Sequence, residues 1–403
     1  MSRIAMIVWN EFRNDARVLK QARTLQASGY QVTVFALHTP GVTCHEEVLP
    51  EGIRVIRVAR TAPWRATTAG VRSSSGSFER EQSMSVRRLL SRLWVHASLM
   101  VRITLHRAVV VHAHDVNTLP TAWLAARLSG AKLVYDAHEV STSREGYARF
   151  RKWVACIEAT LMPRAEGTIT TTQTRAKFFA RAYGIARLLV LQNRPCFSLS
   201  APTQRIRNEL DLQHPWPIVI YQGGLQQGRG LERLLRVSAT LQGAYFVLIG
   251  GGRLTQDLMK LREELGLTER VHFIPTVPLA DLPSYTASAD IGVQPIENTC
   301  LNHFSTDSNK LFEYVIAGLP VVATNFPEIR KIIRPHALGL LAAADSDQPL
   351  RTELKRLIDD PLLRQTCARN AKIAARHLNW EQQEIQLVAL YQRVLARNAE
   401  VHP

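Results

Sequence analysis

Short apolar, β-branched runs alternate with helix-length amphipathic stretches along nearly the whole chain, and this alternation constrains the fold more than any other feature. Strands are expected at 4–9, 31–37, 53–58, 109–114, 132–138 and 168–172, with 188–193 as a further candidate. Helices fall between them, notably over Ala16–Ser28, Leu119–Leu128 and Arg149–Leu161. A second series begins at 216–224 and continues with 244–252, 271–277, 290–296 and 320–324. Strands that read as near-continuous apolar runs are buried on both faces, and strand–helix–strand order produces parallel pairing with right-handed crossovers. Two series therefore predict two doubly wound α/β domains. Asn193-Arg194-Pro195, Pro202, Pro215 and Pro217 mark the break between them, which places the first domain at 1–195 and starts the second at 196. Ligands of such sheets sit beyond the carboxyl ends of the strands, and two domains place the expected site in the cleft between them.

A chain of 403 residues, 46% of them hydrophobic, has enough apolar side chains to give each domain its own core. MSRIAMIVW leads straight into a strand and is too short for a signal peptide. No apolar run reaches the roughly 18 residues that a membrane-spanning helix needs. The five cysteines, Cys44, Cys156, Cys196, Cys300 and Cys367, are scattered and form no CxxC pair. That pattern argues against disulfides and a structural zinc, and the expected location is cytoplasmic.

The net charge of +16 is unevenly placed. Residues 57–107 hold ten arginines against Glu79 and Glu81, a net +8. Within this segment VRRLLSRLWVHASLMVRITLHR has helical periodicity. Arg88, Arg92, His96, Arg102 and His106 fall in an arc of roughly 120°, with Leu89, Leu90, Leu93, Trp94, Ala97, Met100 and Val101 opposite. The apolar side is expected to pack on its own domain. The basic side, with Arg88, Arg92 and Arg102 as contacts, is expected to meet an anionic membrane surface. Nucleic acid ranks lower as a partner, since no binding motif accompanies the charge and the arginine-rich loop has few aromatics.

The second series carries polar residues that a purely structural element does not need. SNKLFEYVIAGLPVVATNFPE (308–328) reads as a helix, a stop at Gly318, a buried strand and a loop. Ser308 is expected to cap the helix with its hydroxyl. Lys310 stands in the first turn, where the helix dipole favours anions, and Glu313 follows one turn later on the same face. Two explanations fit: an exposed Lys–Glu pair, or a phosphate held by Lys310 and the free N–H groups while Glu313 accepts from a sugar hydroxyl. Gly223 and Gly224 follow one strand and precede Arg229, which can contact a phosphate; Gly251 sits in a glycine run after another. Each glycine reads first as a turn and second as a place for close ligand approach. Thr276 and Val277 can offer backbone groups to a flat base.

In the first series Asn14, Asp15 and Arg17 lie where the first strand passes to a helix, and Asp15 reads equally as a helix cap. His114-Asp115 ends one strand; Asp136, His138 and Glu139 end the next. These His–acid pairs suit hydrogen bonding to sugar hydroxyls or proton handling, and no metal-ligand spacing accompanies them.

Taken in order, these segments resemble glycosyltransferase family four, the retaining group one enzymes of the GT-B fold with two Rossmann-like domains. NDARVLKQARTLQASGYQVTVFAL is similar to the family's opening unit, and VHAHDVNTLPTAWLAARLSGAKLVYDAHEV to a subgroup with a YDxHE segment. YQGGLQQGRGLERLL, VLIGGG, VHFIPTVPLADLPSYTASADIGVQPI and NKLFEYVIAGLPVVATNFPE match the donor-binding half in order. NWEQQEIQLVALYQRVL resembles the terminal helix, so the donor domain is expected over 196–378 and a helix crossing back over 379–403.

The resemblance implies a metal-independent hexosyltransferase-like enzyme with no cofactor, acting on a nucleoside diphosphate sugar. It implies that Glu313 holds ribose hydroxyls, that Arg229 and Lys310 neutralise the diphosphate, and that His138 contacts the donor sugar. Ser308, Asn309, Gly223, Gly224, Gly251, Thr276 and Val277 complete the expected donor site. Asn14, Asp15, Arg17, His114, Asp115 and Glu139 form the expected acceptor side. Two positions depart from the family pattern: its first glutamate falls at Ser305 and an arginine at Gly224, with Glu297 a substitute acid. The expected acceptor is lipid-linked or a polysaccharide in cell-envelope glycan synthesis, handled by a peripheral protein on the inner face of the membrane. A nucleotide-sugar epimerase and a non-catalytic member of an assembly complex are the alternatives. A nicotinamide-dependent dehydrogenase ranks far below these, since WNEFRNDA follows the first strand with no GxGxxG.

Overall fold

The computed structural model describes residues 1–60, 86–198 and 201–396. The chain divides into two compact units. The first takes in the described residues of Met1–Thr171, Ala176–Val190 and Gln386–Pro403; the second takes in Thr172–Arg175 and Leu191–Ile385.

The first unit is built on eight strands: β1 (Arg3–Ile7), β2 (Gln31–His38), β3 (Glu46–Val48), β4 (Arg54–Ala59), β5 (Val110–His114), β6 (Lys132–Ala137), β7 (Gly167–Thr170) and β8 (Leu189–Val190). Their order is β3-β4-β2-β1-β5-β6-β7-β8, parallel except for the β3–β4 pair. The direction of winding reverses between β1 and β5, so a crevice opens beyond the carboxyl ends of those two strands. β3 was not foreseen, because EEV has the acid-rich look of a loop and pairs only at the sheet edge.

The helix over Val86–His106 corrects an expectation. Its packed stripe is Ser91, Val95, Leu99 and Ile103, spaced every fourth residue. Leu89, Leu90, Leu93, Trp94 and Val101 are exposed instead of packed, and Leu105 beside them is 75% exposed. The helix is apolar on two sides, and the narrower stripe of Ser91, Val95, Leu99 and Ile103 is the one turned inward. His96 also leaves the basic arc: its ring stacks on Trp9 at 4.2 Å and its Nδ1 lies 2.7 Å from Thr121 Oγ1. Burial, reinforced by Arg92, lowers its pKa to about 4, so it is neutral. Arg92 and Arg102 are exposed, while the side chain of Arg88 lies outside the described residues. Among the described residues, no helix is long and apolar enough to cross a membrane.

The second unit has six parallel strands: β9 (Ile218–Gln222), β10 (Tyr245–Ile249), β11 (Val271–Ile274), β12 (Ile291–Gln294), β13 (Val321–Thr324) and β14 (Gly339–Ala342). Their order is β11-β10-β9-β12-β13-β14, with the reversal between β9 and β12. Two apolar clusters cover its faces, one around Ile220, Val247, Tyr314 and Val321, the other around Tyr221, Leu234, Phe246 and Leu354.

Candidate functional site

The carboxyl ends of β9, β10 and β11 converge because their loops interlock. Gly223 N donates to Ile249 O at 2.8 Å, Leu225 N to Gly251 O at 3.1 Å, and Gly250 N to Ile274 O at 2.9 Å. Two glycines are required here. A Cβ on Gly250 (φ +136°) would lie 2.2 Å from Gly223 O, and one on Gly223 (φ +120°) would lie 2.7 Å from Lys310 Cε. Lys310 therefore reaches along bare backbone toward the β9 loop. Its Nζ stands 5.2 Å from the centroid of the Tyr221 ring, and Tyr221 OH donates to Gly224 O at 3.0 Å.

Lys310 and Arg229 are half-buried, and neither makes a salt bridge among the described residues. Burial lowers the Lys310 pKa to about 8, the nearby Arg229 charge adds to the fall, and Glu313 partly opposes it. Two cations held close without a partnered acid form a ready-made site for a polyanion.

Ser308 behaves otherwise than expected. It precedes the helix Asn309–Ile316 at φ 51°, ψ 134°, with no side-chain capping bond; its own N–H donates to Thr306 Oγ1 at 3.1 Å. A serine in this left-handed region is strained, and strain of this kind gathers where a backbone must present groups to a ligand. The first-turn N–H groups thus lack a capping side chain. Asn309 is exposed beside them. Gly251 and Thr276 lie together, since a Cβ on Gly251 would be 3.4 Å from Thr276 Oγ1; Thr276 is exposed and Val277 half-buried.

Glu313 is fixed by a residue that sequence reasoning missed. Gln222, at the end of β9, donates from Nε2 to Glu313 Oε2 at 2.6 Å. A lone glutamine closing an apolar strand was the available signal. Ser305 is fully buried; its Oγ donates to Leu301 O at 2.6 Å and accepts from Arg175 Nε at 3.2 Å. Glu297 is half-buried, and its backbone N donates to Gly228 O at 3.0 Å, beside Arg229.

In the first unit the crevice end of the sheet carries a charged network. Asp136, fully buried, accepts from Arg17 Nε at 2.9 Å, Arg17 Nη2 at 2.8 Å and Gln21 Nε2 at 2.7 Å. Arg17, expected on the acceptor side, is instead a buried counterion whose guanidinium is engaged by Asp136. Asp15 caps its helix, accepting from Val18 N at 3.1 Å, and is steadied by Asn10 at 2.8 Å; Asn14 is exposed.

His138 lies 3.8 Å from Asp115 and 3.6 Å from Asp136. Burial works against its charged form, but Asp115 and Asp136 outweigh it and raise the pKa. His114 is buried, and burial lowers its pKa in spite of Asp136. The 3.3 Å His114 Nδ1···His138 Nε2 contact then has His138 donating to a neutral His114. Asp115 holds a left-handed φ of 65° at the end of β5, and Arg144 ties it to Glu139 through contacts of 3.6 and 3.3 Å. His112, His114 and Asp136 bring possible metal-ligand atoms within 4.8 Å of one another. The Asp136 carboxylate is already engaged by Arg17 and Gln21, and a guanidinium beside a divalent cation opposes its binding.

Residues 202–374 match the family model of glycosyl transferases group 1, and residues 15–194 match the glycosyl transferase 4-like domain. A D-inositol 3-phosphate glycosyltransferase of Corynebacterium urealyticum is 25% identical over 305 residues, 70% of this chain and 70% of that protein. Sucrose-phosphate synthase from Thermosynechococcus elongatus aligns with a TM-score of 0.80 at 18% identity, covering 98% of this chain and 100% of that one. Anabaena Alr3699/HepE in complex with UDP-glucose aligns at 0.74 and 16%, covering 97% and 100%.

Proposed function

From the premise that the chain belongs to the group 1 glycosyl transferases, we propose that it moves a sugar from a nucleoside diphosphate sugar to an acceptor hydroxyl, with retention at the anomeric carbon and without an obligatory metal. The observation that carries this reading is the pair Lys310 and Arg229. Both are half-buried near the switch point of the second sheet, and neither has an acidic partner within salt-bridge distance among the described residues.

In the proposed reaction the bond between the anomeric carbon and the β-phosphate oxygen breaks. Negative charge grows on the diphosphate, where Lys310, Arg229 and the helix N-terminus at Ser308 and Asn309 stabilise it. The acceptor oxygen bonds to the anomeric carbon on the face the phosphate leaves, and its proton passes to the leaving phosphate. This route uses no carboxylate nucleophile. Glu313 holds the ribose, Gly223, Gly224 and Gly251 admit the phosphates, and Thr276 and Val277 meet the base. His138, its pKa raised by two neighbouring carboxylates, holds a hydroxyl of the donor sugar. Asn14, Asp115 and Glu139 serve the acceptor.

Ser305 supports a second reading. Its buried hydroxyl, bonded to Arg175, stands where the family pattern has a glutamate, and a chain lacking that acid can bind donor without turning it over. Incubating UDP-, GDP- and ADP-sugars with candidate acceptors, with and without EDTA, separates the two. Transfer with an unchanged anomeric configuration in EDTA is expected; binding with no transfer to any acceptor favours the non-catalytic reading, and conversion of donor alone favours an epimerase.

The acceptor is proposed to be lipid-linked or a growing glycan of the cell envelope, met at the cytoplasmic face of the membrane. The support is the outward apolar side of the helix Val86–His106 together with its arginine-rich surroundings. Apolar side chains inserted among headgroups, with cations beside anionic lipid, bind membranes additively. Flotation with phosphatidylglycerol vesicles is expected to carry the protein at low salt. High salt, or Leu93→Glu with Trp94→Glu, is expected to release it; flotation indifferent to salt and to both substitutions contradicts this partner.

A further inference from the structure

Resting on the donor-site reading above, we propose that Gln222 is a positioning residue that reserves Glu313 for the ribose diol of the donor nucleotide and keeps it off Lys310. Gln222 closes β9 at the switch point of the sheet and is 1% exposed. Its Nε2 donates to Glu313 Oε2 at 2.6 Å, and its Oε1 accepts from Thr286 Oγ1 at 2.8 Å. An ionised carboxylate only accepts, so the nitrogen end must face Glu313 and the oxygen end must face the hydroxyl. The carboxamide is thereby fixed at both ends. Its backbone is fixed as well: Gln222 N donates to Tyr314 OH at 3.3 Å, and that ring is fully buried.

The Glu313 carboxylate makes no other hydrogen bond among the described residues. One oxygen is held by Gln222 and the rest of its accepting capacity is open, which suits a pair of neighbouring hydroxyls. Lys310 and Glu313 are three residues apart on one helix, a spacing at which Lys and Glu readily pair. They form no salt bridge here. Gln222 accounts for the separation: it draws the carboxylate toward the sheet, while Lys310 lies across Gly223 toward Tyr221. The charged and titratable groups around Lys310 are Arg229, Glu313 and Tyr221. Without the restraint, Glu313 is free to swing to Lys310. The diol then loses its acceptor, and the phosphate site loses part of its positive charge.

The test is calorimetry on the full chain with UDP, GDP and ADP, followed by the tightest of the three against its 2′,3′-dideoxy analogue. Wild type is expected to prefer the ribose form by about tenfold, the scale of a hydrogen-bond pair to a charged group. Gln222→Met is expected to abolish that preference and to move the basic limb of the pH–affinity profile upward, because Lys310 gains an acidic partner. A merely structural loss would not shift that limb. Thr286→Val, which frees the oxygen end of the carboxamide, is expected to give the same changes in smaller measure and serves if Gln222→Met does not fold. Folded variants that keep both the ribose preference and the wild-type pH limb overturn the proposal. Wild type that binds none of the three nucleotides overturns the donor-site reading itself.

Discussion

Lys310→Met is expected to lower turnover by on the order of 10²–10³-fold, the usual loss when one preorganised group facing a developing charge is removed. The methionine keeps the length of the stem that lies across Gly223, so a fall in rate reports the lost ammonium and not a lost shape. Arg229→Ala is expected to do the same. Glu313→Ala differs: it should weaken donor binding and spare the rate at saturation, because ribose contacts change little as the sugar departs. The wild-type pH profile gives an independent check. A lysine whose pKa is about 8 loses its charge as pH rises through that value, so kcat/KM is expected to fall above about pH 8. Arg229 is one cause of the lowered pKa, so in Arg229→Ala the falling limb should move to higher pH as well as lower rate. In Lys310→Met that limb should be absent. Equal turnover and an unchanged pH limb in both variants would remove these two residues from the reaction.

Asp136→Ala is expected to cost about 3–5 kcal/mol of stability, the loss seen when one member of a buried ion pair is removed. The guanidinium of Arg17 is only 5% exposed, and without Asp136 it keeps its charge and has lost its carboxylate. Urea unfolding should show a lower midpoint at an unchanged slope. The double variant Arg17→Met, Asp136→Leu should recover much of the loss, because it removes both charges together. The pH dependence has a definite sign. Burial works against ionised Asp136, but Arg17 and then His138 hold its carboxyl well below the usual range. A carboxyl whose folded pKa is depressed adds stability above its unfolded value of about 3.9, and that stability is lost as pH falls below it. Wild type should therefore lose stability on acidification below about pH 4 more steeply than Asp136→Asn. A midpoint within experimental error of wild type for Asp136→Ala would contradict the buried-pair account.

The two sheets were legible because their interior strands are continuous apolar runs. IAMI, VTVFAL, IVIY and FVLI can be covered only on both sides. What escaped were the margins. β14, Gly339–Ala342, begins with a glycine, stays half-buried and closes one edge of its sheet, so it carries little of the apolar signal. The candidate strand at 188–193 pairs only through Leu189 and Val190. The helix over Val86–His106 was misread because it is apolar on two sides, and periodicity alone does not say which side turns inward. Ser308 looked like a helix cap from its position, but its backbone occupies a strained region that no sequence rule foretells. The site itself was partly legible. Lys310 and Glu313 stood out because a helix N-terminus disfavours the first and a core stripe excludes both. Arg17 and Asp136 pair across 119 positions, and Gln222 reaches Glu313 across 91, so neither partnership left a local trace.

The cations around the β9 loop of the second unit are proposed to hold a diphosphate. Titration calorimetry of the full chain with UDP-, GDP- and ADP-sugars tests it most directly. One of the three is expected to bind saturably with one site per chain, and Lys310→Met and Arg229→Ala should each weaken that binding by tenfold or more, about 1.4 kcal/mol. No heat from any of the three, or binding unaltered by both substitutions, would contradict it.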